Sequence, residues 1–295
     1  HAWTYNSAGE NVGITEREAG GYTPAFDEVD HGLRRVTKFG SYRGFLFASL
    51  NADVPSLEDH LGDASLFIDM VVDQSSDGIE LVPGIANYTY DGNWKMQIEN
   101  SADVYHFMPT HQSFLKILNS RANNTAAADS PYRNRNVDAV RRGSFCFKYG
   151  HNAMWGGGDK VEARPLYLSR ESVEKRVGAK RLKWMLYTRN VTYFPNMQLL
   201  ENASLQIRVN SPISANRTEI RTYCIAPKGE SVEARRLRIR QYEEFFNASG
   251  LATPDDTAIF EDMQVGASSG AVDWHLGYMR GLANVTTVPI ADAEE

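Results

Sequence analysis

A chain of 295 residues, 42% apolar and 23% charged, has a globular composition with room for one large domain or two of ordinary size. Its formal net charge of −6, with no long basic run, argues against nucleic acid as a partner, and no apolar stretch reaches the roughly twenty residues that a membrane span needs. The two cysteines, Cys146 and Cys224, form no close pair in sequence, which argues against a disulfide framework and fits a reducing, cytoplasmic compartment.

Residues 1–54 read as short strands and turns. The runs WTY, LRRVTKF and YRGFLFASL are rich in β-branched and aromatic residues, and SAGE, GGYTP and FGSY punctuate them, with a long loop over 15–32. From Pro55 the period becomes helical. SLEDHLGDASLFIDMVVDQ spaces Leu61, Phe67, Ile68 and Val71 along one face with Ser56 as N-cap, so a domain boundary is expected there, dividing 1–54 from 55–295. ELVPGIANYTYDGNW reads as one strand running into a helix. Residues 119–140 are polar and poor in aliphatics, the composition of a mobile loop. FCFKYGHNAMWGGG begins as a strand and ends in glycines that match neither phosphate-binding pattern, so a flexible turn is expected. RESVEKRVGAKRLKWMLYTR reads as a charged surface helix. NVTYF, MQLLE, LQIRVNSPI and TEIRTYCIAP, joined by hairpin-length turns, predict an antiparallel sheet. A long helix over 231–248 turns Leu237, Tyr242, Phe245 and Phe246 inwards and ends at Gly250. In ATPDDTAIFEDMQ, Thr253 suits an N-cap, Pro254 the first helical position, and Asp255 and Asp256 the first turn. The order of elements predicts an α+β fold.

The stretch NWKMQIENSADVYHFMPTHQSF (93–114) carries the chemistry. At helical spacing Asn100, Asp103 and His106 fall on one face; Pro109 is expected to end that helix and set His111 at the start of another, angled back towards His106. Two converging imidazoles offer two nitrogen ligands to one metal ion. Alone, such a pair is more often two ordinary core or surface histidines, and without H-E-x-x-H zinc proteolysis does not follow. A carboxylate completing a two-histidine, one-carboxylate face would suit Fe(II). Asp255 or Asp256 could supply it, against the plainer reading of both as helix-start acids.

These residues carry a resemblance. His1-Ala2-Trp3 resembles the end of the second C-x-x-H half of a Rieske [2Fe–2S] motif. N-W-K…E-N…D-x-Y-H…H resembles the mononuclear-iron helix of Rieske aromatic-ring-hydroxylating oxygenase large subunits. FFNASGLATPDDTAIFEDMQ and IRVNSPIS…TEIRTYCIAPKGE…EARRLRIRQYE look most like the benzoate, toluate and anthranilate dioxygenase branch. The resemblance covers nearly the whole chain. It implies an antiparallel-sheet, helix-grip (Bet v1/START-like) catalytic domain over 55–295, preceded over 1–54 by the remnant of a β-rich Rieske domain. It implies His106, His111 and Asp256 as ligands of a mononuclear Fe(II), with Asp255 as the fallback. Asp103 matches the acid that bridges this iron to the Rieske cluster of a neighbouring subunit and accepts hydrogen bonds from both histidine rings. His1 matches the last ligand of the [2Fe–2S] cluster; the other three ligands would precede it, so the chain is expected to be part of a longer subunit, cut at its C-terminus as well.

The same resemblance implies a reaction. Electrons pass from NADH through a reductase, with or without a ferredoxin, to the Rieske cluster and on to Fe(II). Both atoms of O2 add to a small monocyclic aromatic (benzoate-, anthranilate- or aniline-like), giving a cis-dihydrodiol or, after loss of a substituent, a catechol. A small β subunit in an α3β3 assembly is the implied partner. The expected pocket walls are Asn100, Phe107, Leu115, Leu118, Met154, Trp155, Asn196, Leu200 and Phe246. No arginine is evident in these segments to receive a carboxylate, which leaves room for an uncharged or amine-bearing ring. The alternative is a helix-grip module that buries an apolar ligand without metal; it has no need of His106, His111 and Asp256 together. A third reading, an iron oxygenase without a Rieske partner, has no need of the His1-Ala2-Trp3 start.

Overall fold

Strands form where side chains alternate and helices where they recur every third or fourth place, and a few glycines and prolines reset the boundaries. The computed structural model describes residues 1–120, 141–157, 161–202, 204–270, 279 and 281–288. The chain divides into two compact units, His1–Asp59 and His60–Glu295.

In the first unit β1 (Thr4–Tyr5) pairs antiparallel with β2 (Asn11–Gly13), and a single helical turn, α1 (Pro24–Asp27), lies within the long loop. β3 (Lys38–Tyr42) and β4 (Phe45–Ser49) form a hairpin. Arg43 and Gly44 turn it with φ of 51° and 92°, the left-handed pair that a tight hairpin turn requires. YRGFLFASL, read as one strand, is therefore the turn and second arm of this hairpin. At the junction of the units α2 (Leu57–Leu61) begins under a reciprocal cap: Ser56 Oγ accepts from Asp59 N–H at 3.1 Å and donates to Asp59 Oδ2 at 2.9 Å.

In the second unit α3 (Ser65–Val72) buries Phe67, Ile68, Met70 and Val71. The sheet is antiparallel at every pairing. It runs β5 (Ile79–Leu81), β12 (Arg217–Pro227), β11 (Leu205–Ser214), β10 (Met197–Glu201), β9 (Thr188–Tyr193), β8 (Asn152–Gly157), β7 (Arg141–Cys146), and β6 (Ala86–Tyr90) also pairs with β12. The expected single strand before the histidine stretch is thus two, parted at Pro83-Gly84, where Gly84 takes φ 116°. The mixed helix and antiparallel-sheet class expected from the sequence is the one observed.

Other expectations are corrected. Gly156 and Gly157 close β8 rather than forming a flexible turn: a Cβ on Gly157 would lie 2.4 Å from the Tyr187 ring. Gly158 lies outside the described residues, as does the polar loop from residue 121 onward. The charged helix is split by Gly178 (φ 83°) into α7 (Arg170–Val177) and α8 (Ala179–Met185), and Leu182, Trp184 and Met185 of α8 are buried. In α9 (Val232–Phe245) Tyr242 and Phe245 face inwards, as does Phe246 just beyond its end. Leu237 is only half-buried, and Arg238 and Gln241 take the inner places; Arg238 is paired with Glu230 at 2.9 Å, which offsets the cost of burying its charge. In α10 (Thr253–Ser268) the cap is Ala252, and Thr253 is a buried first-turn residue. No described helix is long and apolar enough to cross a membrane.

Candidate metal centre

The site begins at a cap. Asn93 accepts from Lys95 N–H at 3.1 Å and starts α4 (Trp94–Ala102); its own N–H donates to Gln264 Oε1 at 3.0 Å and its Nδ2 to Ala215 O at 2.7 Å. α4 lies on the sheet through buried polar contacts. Ser101 Oγ meets Thr192 Oγ1 at 2.8 Å, and Gln198 Nε2 donates to Gln97 O at 3.0 Å and to Ser101 Oγ at 2.8 Å. The helix ends sooner than the spacing predicts. Asp103 leaves it in an extended conformation, and its carboxylate accepts from Tyr105 N–H at 2.8 Å and His106 N–H at 3.2 Å, a local turn that competes with the helix. The chain resumes as α5 (Phe107–Thr110) and, past His111, as α6 (Gln112–Ser120). Pro109 sits inside α5, within the first turn, where a helix N–H has no intrahelical partner to lose. The break therefore falls at Asp103 and not at Pro109, and Asn100, Asp103 and His106 share no single helix. The turn gathers them instead: Asn100 Nδ2 is 3.0 Å from His106 Nε2, and Asp103 Oδ2 is 3.7 Å from His106 Nδ1.

The third donor arrives from α10. That helix is tied to the start of α4 by Gln264, by Asp91 N–H donating to Glu261 Oε1 at 3.1 Å, and by Tyr90 against Phe260 at 5.2 Å between ring centroids. Its first turn places Asp256 Oδ1 at 3.3 Å from His111 Nε2 and 3.7 Å from His106 Nε2; the same oxygen accepts from Asn100 Nδ2 at 3.0 Å, across 156 residues of chain. Donor atoms of His106, His111 and Asp256 all lie within 4.8 Å of one another. Two imidazoles and one carboxylate, converging with His111 and Asp256 buried, are a donor set that fits Fe(II). Asp255 stands behind: its Oδ2 is 3.4 Å from His111 Nδ1 and accepts from Ser113 Oγ at 3.2 Å. The resemblance assigns Asp103 to both rings, whereas the carboxylate on His111 Nδ1 is Asp255. Burial opposes charge on His111, but Asp256 and then Asp255 outweigh it and raise this imidazole above its ordinary value. The His106 ring, followed by backbone N–H groups, holds the Asp103 carboxyl down at about 2, against partial burial.

A cavity opens beside the triad, with aromatic and polar side chains on its walls. Asn100, Phe107, Met154 and Phe246 line it. Trp155 does not: it alternates with Met154 along β8, so it points to the other face of the sheet and stacks on Tyr187 at 5.9 Å. Leu200 and Leu115 pack behind the wall with Phe114, Phe245 and Phe246. Asn196 is exposed in the turn between β9 and β10, and the side chain of Leu118 lies outside the described residues. Thr188, Asn190, Asn202 and Arg142 line the cavity unforeseen. Strand register could have found three of them, because Asn190 pairs with Met154, and Thr188 pairs with Gly156, which pairs with Arg142. Arg142 also corrects the expectation of a pocket without arginine. A more open hollow, lined by Glu99, Tyr105, Ile259 and Met263 among others, shares Asn100, Asp103, His106, Arg142 and Asp256 with the cavity, so part of the donor set stands in the partition between them. Tyr105 is exposed there, and His1 is exposed in the first unit.

The sequence profile described as "Ring hydroxylating alpha subunit (catalytic domain)" matches residues 79–281. The chain is 40% identical over 276 residues to the toluate 1,2-dioxygenase subunit alpha of Pseudomonas putida, covering 92% of this chain and 61% of that protein. It is 37% identical over 285 residues to the anthranilate 1,2-dioxygenase large subunit of Acinetobacter baylyi, covering 93% of this chain and 60% of that protein. Among solved structures, naphthalene 1,2-dioxygenase with indole bound in the active site superposes with a TM-score of 0.71 at 25% identity, over 90% of this chain and 60% of that one. The chain thus spans about 60% of the length of the curated relatives that it matches.

Proposed function

The chain belongs to the ring-hydroxylating alpha-subunit family, and on that footing we propose that the full-length protein is the large subunit of a terminal oxygenase. It adds both atoms of O2 to a small monocyclic aromatic ring, giving a cis-dihydrodiol, with electrons from NADH delivered through a reductase. The observation that carries this reading is the meeting of His106, His111 and Asp256, drawn from two distant segments, at the wall of an aromatic-lined cavity. His106, His111 and Asp256 hold the iron, which when bound supplies the activation of dioxygen that amino-acid side chains lack. Asp255 accepts from the outer nitrogen of His111, and the Asp103 carboxylate stands 3.7 Å from the outer nitrogen of His106, so both rings are biased towards the tautomer that presents Nε2 to the metal. Phe107, Phe245, Phe246 and Met154 wall the substrate ring and exclude water from it. Toluate and anthranilate, the substrates in two relatives' names, are single rings, which supports the monocyclic class. Residues 1–54 are proposed to be the end of a Rieske domain with His1 as a cluster ligand, and a small β subunit and an α3β3 assembly are the proposed partners.

The test is metal content after anaerobic Fe(II) loading, with wild type beside His106→Ala. One iron per chain in the first and none in the second is expected. No iron in either, with circular dichroism of a folded protein, overturns the oxygenase reading in favour of a ligand-binding module of the same fold.

A further inference from the structure

A buried arginine ordinarily brings its counter-charge with it, because an unpaired charge is costly to take out of water. Four arginines are buried among the described residues: Arg164, Arg189, Arg208 and Arg238. Arg189 pairs with Glu201 and Arg238 with Glu230, while Arg164 donates to Thr188 Oγ1 and, at 3.0 Å, to Asn202 O. Arg208 is the exception. It is 3% exposed, its Nε has no hydrogen-bond partner, and no carboxylate among the described residues forms an ion pair with it. Its neighbours on the same face of the sheet are all neutral: Gln206 and Asn210 two places away along β11, Gln198 opposite on β10 and Thr222 opposite on β12. Helices cover that face, with Gln198 donating to Gln97 O of α4 and Thr222 Oγ1 meeting Tyr242 Oη of α9 at 2.7 Å.

A line of rings connects this charge to the triad. Arg208 Cζ lies 5.4 Å from the centre of the Phe246 ring, Phe246 meets Phe245 at 4.4 Å, and Phe245 meets the His111 imidazole at 6.2 Å. Phenyl rings screen a charge far less than water does. The buried Tyr88 hydroxyl, which has no hydrogen-bond partner, registers both ends: burial raises it above its ordinary value, Arg208 pulls it down and Asp256 pushes it up. At the triad, the contacts of Asp255 and Asp256 are imidazoles, the Asn100 carboxamide and the Ser113 hydroxyl, none of them a lysine or arginine.

We propose that Arg208 is an electrostatic partner of the metal centre, a fixed buried charge that favours Fe(II) over Fe(III) there. The inference rests on the oxygenase reading for the identity of the ion and on the packing for the charge. Loss of an electron adds one positive charge to this interior, and a nearby cation disfavours that addition, so Arg208 raises the reduction potential of the site. Burial keeps away the salt ions that screen a surface charge. The consequence for the reaction is that an electron delivered to the site is held there until ring and O2 have arrived.

The experiment is anaerobic redox titration of the iron-loaded, full-length subunit, followed by electron paramagnetic resonance of the mononuclear ferric ion. Wild type is compared with Arg208→Lys, Arg208→Gln and Arg208→Met, each shown to be folded by circular dichroism. The two uncharged variants are expected to lower the potential by about 59 mV or more, a tenfold shift for a one-electron couple, and Arg208→Lys should stay near wild type. The iron-free proteins are then titrated with Zn(II), which has no redox chemistry. Arg208→Gln and Arg208→Met should bind it about tenfold tighter, having lost a repelling charge, whereas a packing role alone predicts weaker binding. Unchanged potentials in both uncharged variants, or weaker Zn(II) binding in both, overturns the inference. Wild type that binds no iron overturns the oxygenase reading and takes this inference with it; an iron site whose potential ignores Arg208 overturns the inference alone.

Discussion

Two adjacent acids on one helical turn do different work because a helix turns about 100° per residue. Asp256 is directed at both histidine Nε2 atoms, whereas Asp255 reaches the far nitrogen of His111. Asp256→Asn is therefore expected to abolish stoichiometric Fe(II) binding. Asp255→Asn should bind iron about 10- to 100-fold more weakly, the usual loss when a carboxylate behind a ligating histidine is removed. Chelator competition distinguishes them, and equal behaviour of the two variants refutes the assignment. In sequence the pair is two first-turn acids with the same helix-dipole role, and nothing local separates them. The pairing of Asp255 with His111 needed the tertiary fold, since the two are 144 positions apart in the chain.

At the scale of elements, the donor set depends on where α4 begins and how β8 packs. Asn93→Ala removes the Lys95 N–H cap and the bond to Ala215 O at one stroke, so a loss of about 1–2 kcal/mol in urea unfolding is expected, with weaker iron binding because α4 leads into the turn that seats His106. Unchanged stability would show that the cap is idle. Gly157→Ala drives a methyl group into Tyr187 and is expected to destabilise by roughly 1–3 kcal/mol; Tyr187→Ala in the same chain should recover part of the loss. The antiparallel strands, the Ser56 cap and the long helix were legible from periodicity and capping residues, because those signals are local. The end of α4 was not. Aspartate after a helical run reads as one more helical residue until its carboxylate is seen closing on Tyr105 and His106 N–H groups.

Across the whole molecule, buried acids that hold their protons set an alkaline limit. Burial raises Tyr90 from 10.0 to about 12 and Cys224 from 9.0 to about 11. Between those values the folded chain binds protons that the unfolded chain has released, so raising the pH favours unfolding. The stability associated with these groups is complete below about pH 9 and is lost progressively towards pH 12. Melting temperatures across that range should fall steeply in wild type and less steeply above pH 10 in Tyr90→Phe; parallel curves would contradict this account.

The sequence by itself determined the α+β class, the family, the two histidines and the candidate acids, since each of these is written in short-range periodicity or in motifs that survive as strings. Tertiary structure alone decided that Asp256 converges with both histidines, that Asp255 stands behind His111, that Trp155, Leu200 and Asn196 lie outside the cavity wall, and that Arg142, Thr188 and Asn190 line it. The reason is physical. A side chain's direction follows from strand register and from where a helix stops, and both are settled by hydrogen bonds and packing between segments far apart in the chain.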